Sequence, residues 1–248
     1  MSKPITLNID SKSVAVGAQN VQVLGQISHT IEAGSFVSII GPSGCGKSTL
    51  LRAIMGLDLD FIGNILIGES PVLGPGTDRG IVFQEARLLP WSRLRQNIAF
   101  ALPPQAEPRA ANARIERLIE LFGLKEFSNA WPNQLSGGML QRAAIARALV
   151  NLPEVLLMDE PFGALDAHTK NVMQEELAAI FNSQRTTTVM VTHDVEEAIF
   201  LSDAIMILSG RPGSLLDVIK VEIPRPRSRV AEKFVSLRFE VVRRAFAA

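Results

Sequence analysis

The stretch FVSIIGPSGCGKSTLLRAIM, residues 36–55, changes character twice, and those two changes decide the fold. Phe36 to Ile40 is a short, apolar, β-rich run that stops at Gly41. From Lys47 to Met55 the apolar side chains recur at helical spacing until Gly56 ends the pattern. A strand, a glycine-rich loop and a helix therefore follow one another. The loop, Gly41-Pro42-Ser43-Gly44-Cys45-Gly46-Lys47-Ser48, fits a phosphate-binding pattern, and its place between strand and helix gives the match meaning. Glycines let the backbone curl so that consecutive N–H groups face phosphate, and the helix N-terminus adds partial positive charge. Lys47 is expected to reach terminal phosphates, and the Ser48 hydroxyl suits Mg²⁺. A plain glycine-rich turn ahead of a helix is the blander reading, and the flanking strand and helix weigh against it.

Working outward, Val155 to Met158 and Thr188 to Thr192 read as buried strands, the first running into Asp159 and the second into His193. Met173, Leu177 and Phe181 fall at i, i+4 and i+8 of a helix over residues 171–181. Asp194 with Glu197 reads as a capping box that opens a helix after His193. Alternating strands and helices predict a mostly parallel sheet with crossover helices, whose ligands sit beyond the carboxyl ends of the strands. From Glu85 to about Asn151 the pattern becomes proline-punctuated and helical, with stretches at 109–122 and 137–150, and reads as an insertion. The first 35 residues are β-leaning but irregular, and residues 62–83 carry short strands that suggest a small side sheet. At 229–248 a helix is expected with Val230, Phe234, Leu237, Val241 and Phe246 roughly on one side, docked on its own domain.

The chain has 248 residues, 47% of them hydrophobic, enough for a full α/β core in one domain. Twenty-five basic residues balance twenty-five acidic ones, so no bulk charge asks for nucleic acid or an anionic membrane. Cys45 is the only cysteine, which excludes an intrachain disulfide and a cysteine-cluster metal site and suits a reducing compartment. Inside the loop it reads as a small filler rather than a regulatory thiol. No apolar run approaches the roughly 20 residues of a membrane helix, and the first residues lack the apolar segment of a leader, so any service to a membrane is expected from its surface.

Two further groups carry chemistry. Asp159 and Glu160 are neighbours at a strand end, so their side chains should diverge, one toward Mg²⁺ and the other toward the γ-phosphate, where a carboxylate can orient and deprotonate water. Leu135-Ser136-Gly137-Gly138, followed by Gln141 and Arg142, is a second small-residue loop opening a helix and hence a second anion site. Single histidines are commonly structural, and His29 and His168 are read that way; only His193 ends a core strand.

Taken in order along nearly the whole chain, these motifs resemble those of the ABC ATPase family. They comprise the phosphate loop Gly41 to Thr49, Gln84 after Phe83, the LSGG signature at 135–138, Asp159-Glu160-Pro161, Gly163-Ala164-Leu165-Asp166, and His193 within Val191 to Asp194. The resemblance implies a P-loop NTPase (RecA-like) α/β core with an antiparallel β subdomain and an inserted helical signature subdomain, all one nucleotide-binding domain. The core would be about 1–84 and 152–228, the helical part about 85–151, and a terminal helix about 229–248. It further implies that Gly41, Pro42, Ser43, Gly44, Cys45, Gly46, Lys47, Ser48 and Thr49 bind ATP and that Ser48, Gln84 and Asp159 serve Mg²⁺. Gln84, Glu160 and His193 would act in hydrolysis, with Glu160 as base. Ser136, Gly137, Gly138 and Asp166 would act on ATP held by a second, head-to-tail copy.

The segment from Gln84 to Trp91 with Asn97-Ile98, the Asp194 to Ala198 segment, Arg211-Pro212-Gly213 and Pro224-Arg225-Pro226-Arg227 look like the nitrate, sulfonate, taurine and thiamine-precursor importer branch. The implied partners are transmembrane permease subunits and, indirectly, a substrate-binding protein, at the cytoplasmic face of the inner membrane. A non-transport ABC ATPase is the alternative; it would be expected to show coiled-coil insertions or fused nucleotide domains. Trp131 is expected in the core. Family members usually place an aromatic residue upstream of the phosphate loop to stack on adenine. This chain has no tyrosine, Val16 falls nearest that position, and Phe36 is the other candidate to cover the base.

Overall fold

The computed structural model describes residues 2–17, 19–163 and 165–246. Ala164 of the Gly163-to-Asp166 motif and positions 247–248 of the expected terminal helix lie outside the described residues. The chain divides into two compact units, Met1–Gly76 with Arg185–Ala248, and Thr77–Gln184.

In the first unit an antiparallel sheet is built on β1 (Ile5–Val16), flanked by β2 (Gln19–Leu24), β3 (Ile27–Ile31) and β5 (Ile62–Ile67). The two-residue β6 (Ser70–Pro71) pairs with β5. Ile5, Leu7 and Ile9 alternate inward, so β1 opens as a regular strand and runs unbroken for twelve residues; the irregularity expected is confined to register shifts between Ile9 and Ser11 against β5 and between Lys12 and Ser13 against β2. The apolar pattern breaks at Lys12, a buried cation whose ammonium is satisfied by Asp58 at 2.6 Å and the Asp60 carbonyl at 2.8 Å. That polar interruption hides the strand from periodicity.

The same unit holds β4 (Phe36–Ile40), which runs parallel to β9 (Thr187–Val191) and β10 (Ala204–Leu208), with β11 (Leu215–Lys220) antiparallel at the edge. Every residue of β4 is buried, as expected of a strand covered on both faces. Its one polar side chain, Ser38, bonds Ser202 Oγ at 2.5 Å. α1 (Lys47–Met55) follows the loop and ends on left-handed Gly56. α6 (Val195–Leu201) starts from Asp194, whose carboxylate accepts the N–H groups of Glu196 and Glu197. Glu197 itself turns to the Thr192 hydroxyl at 2.5 Å. α7 (Glu232–Phe246) docks on this unit by Phe234, Val241 and Ala245, with Arg238 on Glu196 and Arg244 on Asp217. Val230 and Phe246, expected on the buried side, are exposed: the first precedes the helix and the second closes it.

The second unit pairs β7 (Arg79–Val82) in parallel with β8 (Val155–Asp159) and adds α2 (Leu94–Ala99), α3 (Pro108–Leu121), α4 (Gly137–Leu149) and α5 (Ala167–Gln184). Residues 62–83 thus do not form one side sheet. β5 and β6 join the antiparallel sheet, whereas β7 joins β8 because Gly80 lets it lie close under α4, where a Cβ would stand 2.6 Å from the Ala148 carbonyl oxygen. Trp131 is 37% exposed rather than core, with the Arg93 guanidinium 5.0 Å from its ring centroid. No helix among the described residues is long and apolar enough to cross a membrane.

Candidate active site

The site residues of the first unit gather where β4 and β9 end. β4 delivers the chain to Gly41, and α1 begins at Lys47, capped by Gly46 in the left-handed region at φ 103°. Gly46 also lies against β2: a Cβ would stand 2.6 Å from Leu24 and 3.1 Å from the Val23 carbonyl oxygen. Gly44, at φ 75°, has open space beside it. The buried Lys47 folds back so that its ammonium donates to the Gly41 carbonyl at 2.9 Å and the Pro42 carbonyl at 3.0 Å. The third N–H of that ammonium remains for a phosphate oxygen. Burial pushes the Cys45 thiol up, the opposite of an activated thiolate, which suits the filler role. His193 is exposed just beyond β9, ahead of α6.

Two segments that carry no phosphate-binding signature support the site, one behind this loop and one under α6. Gly213 packs against its back, where a Cβ would stand 2.0 Å from the Cys45 carbonyl oxygen. Its own backbone is fixed by Gly213 N–H to the Val23 carbonyl at 2.9 Å and Gly25 N–H to the Gly213 carbonyl at 3.0 Å. Arg227 lies buried under α6 and donates to the carbonyls of Ile199, Phe200 and Ser202, closing the helix that starts beside His193. Desolvation there pushes the Arg227 pKa down to about 10. In the sequence both segments read only as markers of a branch. Their structural role is readable only from main-chain partners.

In the second unit the parallel pairing of β7 with β8, Val82 beside Met158, brings Gln84 and Glu160 to the same end of two neighbouring strands. Gln84 Nε2 donates to Glu160 Oε2 at 3.4 Å. Glu160 holds a left-handed φ of 44°, a strained conformation for a residue with a Cβ, of the sort that persists at functional sites. Gly163 N–H donates to the Glu160 carbonyl at 3.1 Å, closing the turn. Asp159, half-buried, is the last residue of β8.

The signature segment opens α4. Ser136 is its N-cap and accepts the Met139 N–H at 3.3 Å, which leaves the hydroxyl proton to be donated elsewhere. Ser136 and Gly137 are exposed, and their end of the helix carries the unsatisfied N–H groups of a first turn. Gly138 is buried against α5, where a Cβ would stand 2.7 Å from Thr169 Cγ2. Asp166 therefore lies near the signature. The hydroxyl and N–H of Thr169 hold the Asp166 carboxyl below the usual carboxylate range. The two candidates to cover a base diverge. Phe36 is 1% exposed inside β4 and is not available to a ligand, whereas Val16, at the end of β1, is 56% exposed.

A family model described as ABC transporter matches residues 24–163. The chain belongs to the ABC transporter family. Among relatives of this family, an aliphatic sulfonates import ATP-binding protein of Bacillus cereus is 44% identical over 96% of this chain and 94% of its own. The protein of that description from Bacillus subtilis is 42% identical over 96% of this chain and 92% of its own. An uncharacterized ABC transporter ATP-binding protein of Methanocaldococcus jannaschii is 43% identical over 94% of this chain and 87% of its own. The fold resembles a dimeric ATP-binding cassette solved in a post-hydrolysis state with ADP and Pi, at a TM-score of 0.76 and 31% identity over 89% of this chain and 100% of that one. The mixed α/β architecture is thus that of ABC ATPases, and the chain is an ATPase of this type.

Proposed function

We propose that the chain energises import of a small anionic solute, with an alkanesulfonate as the leading class and nitrate or taurine next, by hydrolysing MgATP on behalf of membrane permease subunits. The observation that carries the ATPase half is the loop between β4 and α1, where Lys47 holds its ammonium on the Gly41 and Pro42 carbonyls with one donor to spare. The solute class rests on the relatives named for sulfonate import. In this reading Lys47, Ser48 and Thr49 bind the phosphates while Gln84 orients the attacking water. Glu160 takes the water's proton, and His193 touches the γ-phosphate. The Ser48 hydroxyl, the Asp159 carboxylate and the Gln84 amide oxygen, the groups read for the metal, are hard oxygen donors and suit Mg²⁺, which takes few protein ligands along with phosphate oxygens and water. Bound there, Mg²⁺ would supply charge compensation for the phosphates.

The working form in this reading is a head-to-tail pair, each copy lending Ser136, Gly137, Gly138 and Asp166 to ATP on the other, at the cytoplasmic face of the inner membrane. The solved neighbour is likewise dimeric. The non-transport alternative expects a coiled-coil arm, and the longest helix among the described residues is α5, of 18 residues. The test is Lys47→Ala in proteoliposomes carrying the co-purified permease. Removing one such electrostatic group lowers turnover by about 100-fold or more, and uptake of labelled alkanesulfonate should stop with it. Unchanged turnover at saturating MgATP would remove the assignment.

A further inference from the structure

The loop that carries Gln84 is fastened to the signature helix by main-chain contacts that none of the site motifs explains. Gln141, buried on α4, donates to the Phe83 carbonyl at 3.3 Å, immediately before Gln84. Six residues further along α4, Arg147 spreads its guanidinium over the same loop, donating to the Ala86 carbonyl at 2.9 Å and to the Arg87 carbonyl at 2.8 Å. Arg87 sits in the left-handed region at φ 45°, and its own guanidinium stacks 4.3 Å from the Phe83 ring centroid, so the segment from Phe83 to Arg87 is curled back on itself. A β-carbon disfavours that conformation, and the curl persists only where its surroundings impose it.

Arg147 is the member of this arrangement that imposes it at two points. Its charge is partly desolvated, which lowers its pKa, and both bonds go to carbonyls rather than to a carboxylate. A planar fork on two successive carbonyls fixes orientation as well as distance, which a lysine cannot do. Further on, the fully buried Asn97 accepts from Leu89 N–H at 2.6 Å and donates to the Leu89, Ser92 and Arg93 carbonyls. Gln84 is therefore an exposed residue of a loop fixed on both sides.

We propose that Arg147 is a positioning residue for Gln84: by clamping the Ala86 and Arg87 carbonyls it holds the Gln84 amide against Glu160 and makes the Gln84 loop move with the signature helix. The inference rests on the role proposed for Gln84. Because Ser136 caps the same helix, a shift felt at the signature end is carried by α4 to the loop beside the hydrolytic carboxylate of its own chain. ATP affinity does not depend on this clamp; the rate of the hydrolytic step does.

The test uses the full chain and four proteins: wild type, Arg147→Lys, Gln84→Ala and the double variant Gln84→Ala/Arg147→Lys, with Arg147→Ala as a stronger perturbation if it folds. Misplacement of a reacting group by about 1 Å can cost up to about 100-fold in rate. Arg147→Lys is expected to lower kcat for MgATP about tenfold or more and to leave the ATP Kd within about twofold, while amide hydrogen exchange at residues 84–88 speeds up. In the Gln84→Ala background the same substitution should cost less than about twofold, because residues acting through one group are not additive. A loss of equal size in both backgrounds overturns the proposal, as does an unchanged kcat in Arg147→Lys. A purely structural role would lower the melting temperature and ATP affinity together, and that outcome also overturns it. If Gln84→Ala alone leaves turnover unchanged, the role of Gln84 fails instead, and the clamp with it.

Discussion

Gly213→Ala tests whether the phosphate loop is held from behind. The new Cβ would stand 2.0 Å from the Cys45 carbonyl oxygen and 3.1 Å from its carbon, and real Cβ contacts do not fall under 3.0 Å. One side must retreat by at least about 1 Å. Gly213 has little room to do so, because its N–H is on the Val23 carbonyl, its carbonyl accepts from Gly25, and it bridges Leu24. The phosphate loop is the freer side, with Gly44 in open space. A donor that moves about 1 Å from an N–H···O separation of ~2.9 Å is no longer in hydrogen-bond range. Hydrogen bonds to a charged partner contribute about 1.5–3 kcal/mol each, so losing two costs about 3 kcal/mol or more. That is roughly a 100-fold weaker ATP Kd, at about 1.4 kcal/mol per decade. Gly210→Ala is the control, since nothing lies within 4 Å of its Cβ direction in the same turn. Titration calorimetry of both variants with ATP, alongside their melting temperatures, separates a displaced loop from simple overpacking, which costs about 1–3 kcal/mol of stability. An ATP Kd within twofold of wild type in a folded Gly213→Ala protein would refute the reasoning.

Glu160→Gln keeps the shape of the side chain and removes the proposed base, so ATP should bind while hydrolysis stalls; size-exclusion chromatography should then show a MgATP-dependent dimer, and a monomer at every ATP concentration counts against the paired model. Ser136→Arg should abolish turnover while sparing nucleotide binding to the isolated chain, and loss of that binding would contradict action on the partner's ATP. Val16→Tyr should tighten ATP binding by a few-fold up to about tenfold, since ring stacking contributes roughly 0.5–1.5 kcal/mol beyond area burial. In wild type, ATP and GTP should compete nearly equally; a preference for ATP over tripolyphosphate much above about tenfold would show that another residue covers the base.

The parts of the fold legible in the sequence are those where local signals agree. β4 and α1 have the bounds read from residues 36–55, because an all-apolar run, a glycine loop and a helical stripe all point the same way. The two longer helices of the insertion, α3 and α4, and the strand before Asp159 are legible for the same reason, whereas the six-residue α2 is not. β1 is not, because its inward position at Lys12 is polar and becomes tolerable only through Asp58 and the Asp60 carbonyl, contacts 46 and 48 positions away. The place of β7 is hidden because four residues read alike in either kind of sheet, and only its neighbour β8 decides which. Phe36 is a poor candidate for stacking on a base because the strand that delivers the chain to the phosphate loop is itself wholly buried.

The motif residues and the residues that hold them in place are legible to different degrees for a physical reason. In the proposed function Lys47, Ser136, Asp159 and Glu160 answer to a ligand's chemistry, so their side-chain types and spacing announce that ligand. Arg147, Arg227, Asn97 and Gly213 are constrained by main-chain atoms: two loop carbonyls, three carbonyls at the end of α6, a turn at Leu89 and the Cys45 carbonyl. A carbonyl belongs to every residue, so its demand leaves no mark on the sequence around it. The demand is nonetheless strict, since a buried main-chain group without a partner costs about 1–3 kcal/mol, and a Cβ beside one has nowhere to go. Supports of this kind surround the phosphate loop, the Gln84 loop and the helix beside His193. In the proposed function, the placement of the residues that act on the nucleotide is therefore set by groups that need not touch it.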